Sequence, residues 1–117
     1  MAYQSVFKPG IFNDKVFLVT GGGSGIGRCT AHEIAALGGT VIIAGRNQDK
    51  LDKVSAEIKA QQGKIDTVVM DIRDESRVQE VIASLVEKYG KIDGLLNNAG
   101  GQFPAPLEHI NKKGFDA

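Results

Sequence analysis

Residues 21–27 read Gly-Gly-Gly-Ser-Gly-Ile-Gly, five glycines in seven positions, and they follow the run Val16-Phe17-Leu18-Val19-Thr20. Glycine accepts the positive φ angles that a sharp turn requires, and without a side chain its backbone can approach a ligand closely. A helix starting near Gly25 would aim its free N–H groups and the positive end of its dipole at the same point. That combination suits a diphosphate. A plain turn would account for a glycine cluster equally well, so the surroundings have to decide. One phosphate-binding alternative falls at once: a P-loop needs Gly-Lys-Ser/Thr at the helix start, and Gly27 is followed by Arg28-Cys29-Thr30.

The elements that would position such a loop are legible on either side. Four β-type runs stand at VFLVT (16–20), TVIIA (40–44), TVVMD (67–71) and IDGLLN (92–97). The first three are rich in Val, Ile and Thr and do not alternate, the pattern of strands covered on both faces. Between them lie helical stretches. Ile26, Cys29, Ile34 and Leu37 mark a helix from Gly25 to Leu37 with Cys29 as a small buried residue, ended by Gly38-Gly39. Leu51, Val54 and Ile58 mark one from Asp49 to Gln61, with Asn47 as a cap and Gly63 as a stop. Val78, Val81, Ile82, Leu85 and Val86 mark one from Glu75 to Tyr89, capped by Asp74 and ended by Gly90. The order β-α-β-α-β-α-β predicts an α/β fold with right-handed parallel crossovers. The second strand ends about 20 residues after the glycines, as a dinucleotide-binding unit demands.

The glycine spacing itself, Thr20-Gly21 followed by Gly25 and Gly27, gives T-G-x-x-x-G-x-G, and Asn97-Asn98-Ala99-Gly100 closes the fourth strand. With these two motifs the sequence resembles the short-chain dehydrogenase/reductase family from about Asn13 onward. The resemblance implies a three-layer parallel sheet in the order 3-2-1-4, the N-terminal half of a Rossmann fold occupying residues 1–117. It also implies a dinucleotide cofactor held by Gly21, Gly23, Ser24, Gly25, Ile26 and Gly27. Asp71 and Ile72 would flank the adenine, although Asp71 serves equally as a turn residue. Asn98, Ala99 and Gly100 would line the cofactor near its ribose, while Asn97 would tie strands together. The second strand ends Ala44-Gly45-Arg46-Asn47, with Gly45 in the place where NAD-binding units put a carboxylate. A guanidinium at Arg46 would pair with a 2′-phosphate, so NADP is the expected cofactor. Ser24 stands where many NADP-binding relatives carry a second basic residue.

The family's hydride-transfer chemistry uses a Tyr-x-x-x-Lys pair, a serine and an asparagine. Neither Tyr3 nor Tyr89 is followed four residues later by Lys, and Asn111 reads as a helix cap. The expectation is therefore a cofactor-binding portion with no catalytic residue, inactive by itself. Within the family, Asp71-Ile72-Arg73-Asp74 and Gly100-Gly101-Gln102-Phe103 followed by Pro-Ala-Pro-Leu-Glu-His-Ile look like the trans-2-enoyl-CoA reductase branch. Acyclic alcohol/aldehyde dehydrogenases of the citronellol type look similar here. Outside enzymology, a stand-alone nucleotide-binding module or a non-functional fragment remains.

Composition narrows the partners. Fourteen basic residues balance fourteen acidic ones, which points away from nucleic acid and from anionic membranes. The apolar runs are too short to span a bilayer. A single cysteine, Cys29, excludes an intrachain disulfide and fits a cytoplasmic protein. One cysteine with His32 and His109 makes no metal cluster, and both histidines read as surface residues. An open apolar edge at the fourth strand, together with the third helix, predicts a homo-oligomer.

Overall fold

The computed structural model describes residues 3–100. The elements run β1 (Val16–Thr20), α1 (Gly25–Ala36), β2 (Thr40–Gly45), α2 (Gln48–Ala60), β3 (Lys64–Val69), α3 (Glu75–Tyr89) and β4 (Gly94–Leu96). All four strands are parallel, in the order β3-β2-β1-β4, as the sequence predicts. The expected proline-bearing loop after Gly100, His109 and the Asn111 cap lie outside the described residues.

The central strands are apolar on both faces because each face meets a different helical layer. Val19, Val41 and Ile43 pack with Ala31 and Ile34 of α1 and with Leu51, Val54 and Ile58 of α2. Val16, Leu18, Ile42 and Ala44 pack on the other side with Met70 and with Val81 and Leu85 of α3. This is the three-layer arrangement. Two helices begin as predicted: Asn47 accepts a hydrogen bond from the Lys50 N–H (3.2 Å) and Asp74 from the Arg77 N–H (3.1 Å). Gly90 ends α3 at φ +81°.

Several expectations need correction. β3 starts at Lys64 rather than at residue 67 and stops at Val69, before Asp71. It is an edge strand with only partial burial, so it tolerates Lys64 and Asp66, which an apolar run excludes. β4 is three residues long, not six; Ile92 and Asp93 of the predicted run precede it, and the Asp93 carboxylate accepts the Val16 N–H at 2.8 Å. The inward stripe of α1 is Gly27, Ala31 and Ile34. Small residues there let the helix lie close to the sheet, which rotates Cys29 and Ile26 outward; Ile26 is 74% exposed. His32 is not a surface residue: it is half-buried, 3.1 Å from Glu57 and stacked on Tyr3.

β3 is tied to α3 through Asp66, whose carboxylate accepts hydrogen bonds from Lys88 (2.7 Å) and Tyr89 (2.8 Å). Partial burial pushes its pKa up, but these two bonds and the Thr67 N–H outweigh burial and hold it below the usual value. A lowered folded-state pKa stabilises the protein above the unfolded value and is lost as pH falls through the folded one. Asp66→Asn should therefore cost about 1 kcal/mol at pH 7, a figure that allows for solvent screening. Urea unfolding should show the gap between parent and variant closing as pH falls below the usual carboxylate range, through the lowered pKa of the folded state.

Candidate cofactor site

The site is built at the C-terminal ends of the strands, around Thr20. This last residue of β1 is 4% exposed. Its Oγ1 accepts the N–H groups of Asn98 and Ala99, both at 3.0 Å, and its hydroxyl donates to the Leu96 carbonyl at 3.3 Å. One buried hydroxyl thus clamps the segment leaving β4 to the end of β1. Asn98 adds a second tie, its side-chain amide donating to the Gly21 carbonyl at 3.2 Å. The tying role predicted for Asn97 belongs to Asn98.

The glycines divide by what requires them. Gly21 turns at φ +68°, and a Cβ there would sit 2.9 Å from the Asn98 amide. At Gly27 a Cβ would fall 2.2 Å from the Gly21 carbonyl oxygen, so α1 can pass under the loop only without one. Gly25 has open space around its missing Cβ, but its φ of +56° disfavours any other residue. Ser24 is the N-terminal flanking residue of α1, yet its hydroxyl makes no capping bond, and the first turn holds no acidic residue. The N–H groups of that turn are left for an acceptor from outside.

They open on a cleft of about 570 Å³. Gly21, Ser24, Gly25, Ile26, Arg46, Asp71, Ile72, Asn98, Ala99 and Gly100 all line it. Gly23 lines an adjoining cleft of about 720 Å³ together with Lys50, and Arg46 lies on the wall of both. Gly27 lies beneath the loop and lines neither. Ile26 and Ile72 present exposed apolar side chains to the first cleft, a surface suited to a flat ring. Among the described residues no cluster of His, Cys, Asp and Glu could hold a metal ion.

Asp71 accepts from the Arg73 N–H (2.9 Å) and Nε (3.1 Å) through Oδ1 and from Arg73 Nη2 (2.9 Å) through Oδ2. These bonds from Arg73, with smaller help from Arg46, draw its pKa down to about 2. Three residues were given no site role by the sequence reading. Thr20 carried a signal, a hydroxyl at the last position of an apolar strand. Lys50 and Arg73 carried none, because only the packing of α2 and the turn after β3 bring them to the clefts.

A family model described as short chain dehydrogenase matches residues 15–117. A Bacillus subtilis (strain 168) protein named as a probable 2,4-dienoyl-CoA reductase is 36% identical over 88% of this chain and 41% of its own length. A solved structure of the citronellol catabolism dehydrogenase AtuB from Pseudomonas aeruginosa PAO1 is 48% identical, with a TM-score of 0.85, over 97% of this chain and 46% of that one. A metagenomic short-chain oxidoreductase in complex with NADP matches at TM-score 0.81 and 30% identity, over 90% of this chain and 48% of its own. An NAD+-bound xylitol dehydrogenase matches at 0.79 and 36%, over 90% and 41%. The chain spans less than half the length of each of these proteins.

Thr20→Val keeps the shape of the side chain and removes its hydroxyl, leaving two backbone N–H groups without their acceptor. The expected loss is about 2 kcal/mol in urea unfolding, with Thr20→Ser retaining most of the parent's stability. Equal stability of Thr20→Val and the parent would show that the clamp does not hold the site together.

Proposed function

The chain belongs to the short chain dehydrogenase family, and from that membership we propose that it is the NADP(H)-binding portion of an oxidoreductase. Arg46 is the observation that carries the choice of cofactor. It follows β2 directly, the preceding Gly45 offers no carboxylate to repel a phosphate, and its guanidinium has no ion-pair partner among the described residues. Similar structures include both an NADP complex and an NAD+ complex, so the choice rests on this chain's own residues. Lys50, on the same wall as Arg46, supplies a second cation near the place where a 2′-phosphate would sit.

In this reading the glycine loop and the uncapped start of α1 hold the diphosphate. Asp71 accepts from the adenine amine, and the backbone of Ile72 bonds the ring. Asn98, Ala99 and Gly100 bring a small, close wall against the ribose. The bound dinucleotide gives or takes a hydride; these residues bind and orient it. The chain spans less than half the length of the relatives it matches, so turnover is proposed for the whole protein.

For the substrate, a conjugated enoyl-CoA is the first reading, supported by the dienoyl-CoA reductase relative and by the residues around Asp71 and after Gly100. A second reading, an acyclic alcohol or aldehyde, is supported by the 48% identity to AtuB. Assembly as a homo-oligomer is supported by apolar side chains left open on β4 and α3, where Leu95 is 56% and Val86 44% exposed.

Calorimetry on the intact protein tests the cofactor. NADP+ should bind more tightly than NAD+ by about 1–3 kcal/mol, and Arg46→Ala should remove most of that difference. Equal affinities in the parent would end the reading. Gly25→Val should abolish binding of both cofactors, by strain at its positive φ and by blocking the approach of the diphosphate; a folded variant that binds normally would place the phosphate site elsewhere.

A further inference from the structure

β2 and β3 end side by side. Gly45 is paired with Val69, and the Met70 N–H donates to the Gly45 carbonyl at 2.9 Å. Arg46 and Asp71 therefore leave neighbouring strands on the wall of one cleft, and the charge of Arg46 adds to the lowering of the Asp71 pKa. Left alone, a carboxylate at this place has two effects on a 2′-phosphate, and both are unfavourable. It pairs with the cation the phosphate needs, and it repels the phosphate itself. Asp71 is not left alone. Both its oxygens are taken by the guanidinium of Arg73, a two-point contact that fixes direction as well as charge.

We propose that Arg73 is a specificity-determining positioning residue: by holding both oxygens of Asp71, it keeps that carboxylate off Arg46 and leaves Arg46 open to a 2′-phosphate. The proposal rests on the reading of Arg46 given above. It separates two duties at the same turn. The Arg73 N–H donates to Asp71 Oδ1 at 2.9 Å independently of the side chain, so the turn and the place of Asp71 survive loss of the guanidinium. What the guanidinium adds is neutralisation. The depressed pKa of Asp71 agrees, since that carboxylate stays charged throughout the range where the cofactor is used. The pair is partly exposed, with side chains 60% and 33% accessible, so the effect is that of one screened charge interaction and not of a buried one.

The test is a double-mutant cycle on the intact protein, with NADP+ and NAD+ affinities measured by calorimetry for the parent, Arg73→Ala, Asp71→Asn and the double variant. Arg73→Ala should lower the NADP+/NAD+ affinity ratio by roughly three- to fivefold, through weaker NADP+ binding. In the Asp71→Asn background the same substitution should leave the ratio unchanged, because no carboxylate remains to be held. Arg73→Lys should recover part of the parent's ratio. An equal fall in both backgrounds would mean that Arg73 attracts the phosphate directly, and would overturn the proposal. So would an equal loss of both cofactors in Arg73→Ala, which marks a purely structural role, or a ratio that does not move at all. A parent without NADP+ preference would overturn the reading of Arg46 and this proposal together. A parent preference that Arg46→Ala abolishes and Arg73→Ala leaves intact would overturn this proposal alone.

Discussion

A Cβ at residue 27 would stand 2.2 Å from the carbonyl oxygen of Gly21, and the geometry of the site depends on that approach. Because α1 can slide under the loop at Gly27, its first turn points at the ends of the strands rather than past them. The same approach brings the Gly21 carbonyl to the Asn98 amide and so couples the loop to β4. Thr20 completes the coupling from below, its one oxygen serving two N–H donors and one carbonyl. Two strands adjacent in space but about 75 residues apart in sequence are thus locked at the height where the cleft opens. The clamp lies in the backbone and in small side chains, which leaves the cleft itself free of bulk.

The parallel register does for charge what the glycines do for shape. Strands of one direction that end at one level bring the residues that follow them to one cleft, here Arg46 and Asp71. That convergence brings opposite charges together as readily as it brings ligand groups together. Arg73, two residues beyond Asp71 and bonded to it through both backbone and side chain, resolves the competition locally, without a further element. At β3 the half-exposed edge is fastened by Asp66 to Lys88 and Tyr89 as well as by the apolar packing of Ile65 and Val68.

The sequence disclosed what depends on local pattern. Runs of Val and Ile named β1 and β2, and helical spacing with Asp74 and Gly90 gave α3 its observed ends. The glycine spacing placed the loop, and Arg46 and Asp71 stood at strand ends where the cleft forms. What was hidden depends on tertiary context. β3 is an edge strand, and its polar start at Lys64 and Asp66 breaks the apolar run that was sought. α1 buries Gly27 and Ala31, and a search for large apolar residues turns the helix to the wrong face, with Cys29 inward and Ile26 against the core. Thr20 and Asn98 belong to the two motifs, but that they clamp β4 to β1 shows only once the two strands are seen side by side.

The three helix starts carry a further argument, because two of them obey a local rule that the third breaks. α2 and α3 each begin with a side chain that accepts a free N–H, and each has an acidic residue in its first turn. α1 has neither, although Ser24 stands where a hydroxyl could cap it. The backbone at Ser24 is extended and the turn beyond it is set by Gly25 at positive φ, a pair of conformations that aims the helix start at the cleft. A cap is worth about 1 kcal/mol to a helix, so leaving it out costs stability unless another acceptor takes its place. Local rules broken at one point in a chain that otherwise keeps them mark a place kept for function. At α1 the broken rule, the absent carboxylate and the close-lying glycines all agree with the diphosphate proposed for this place, an anion approached by backbone alone.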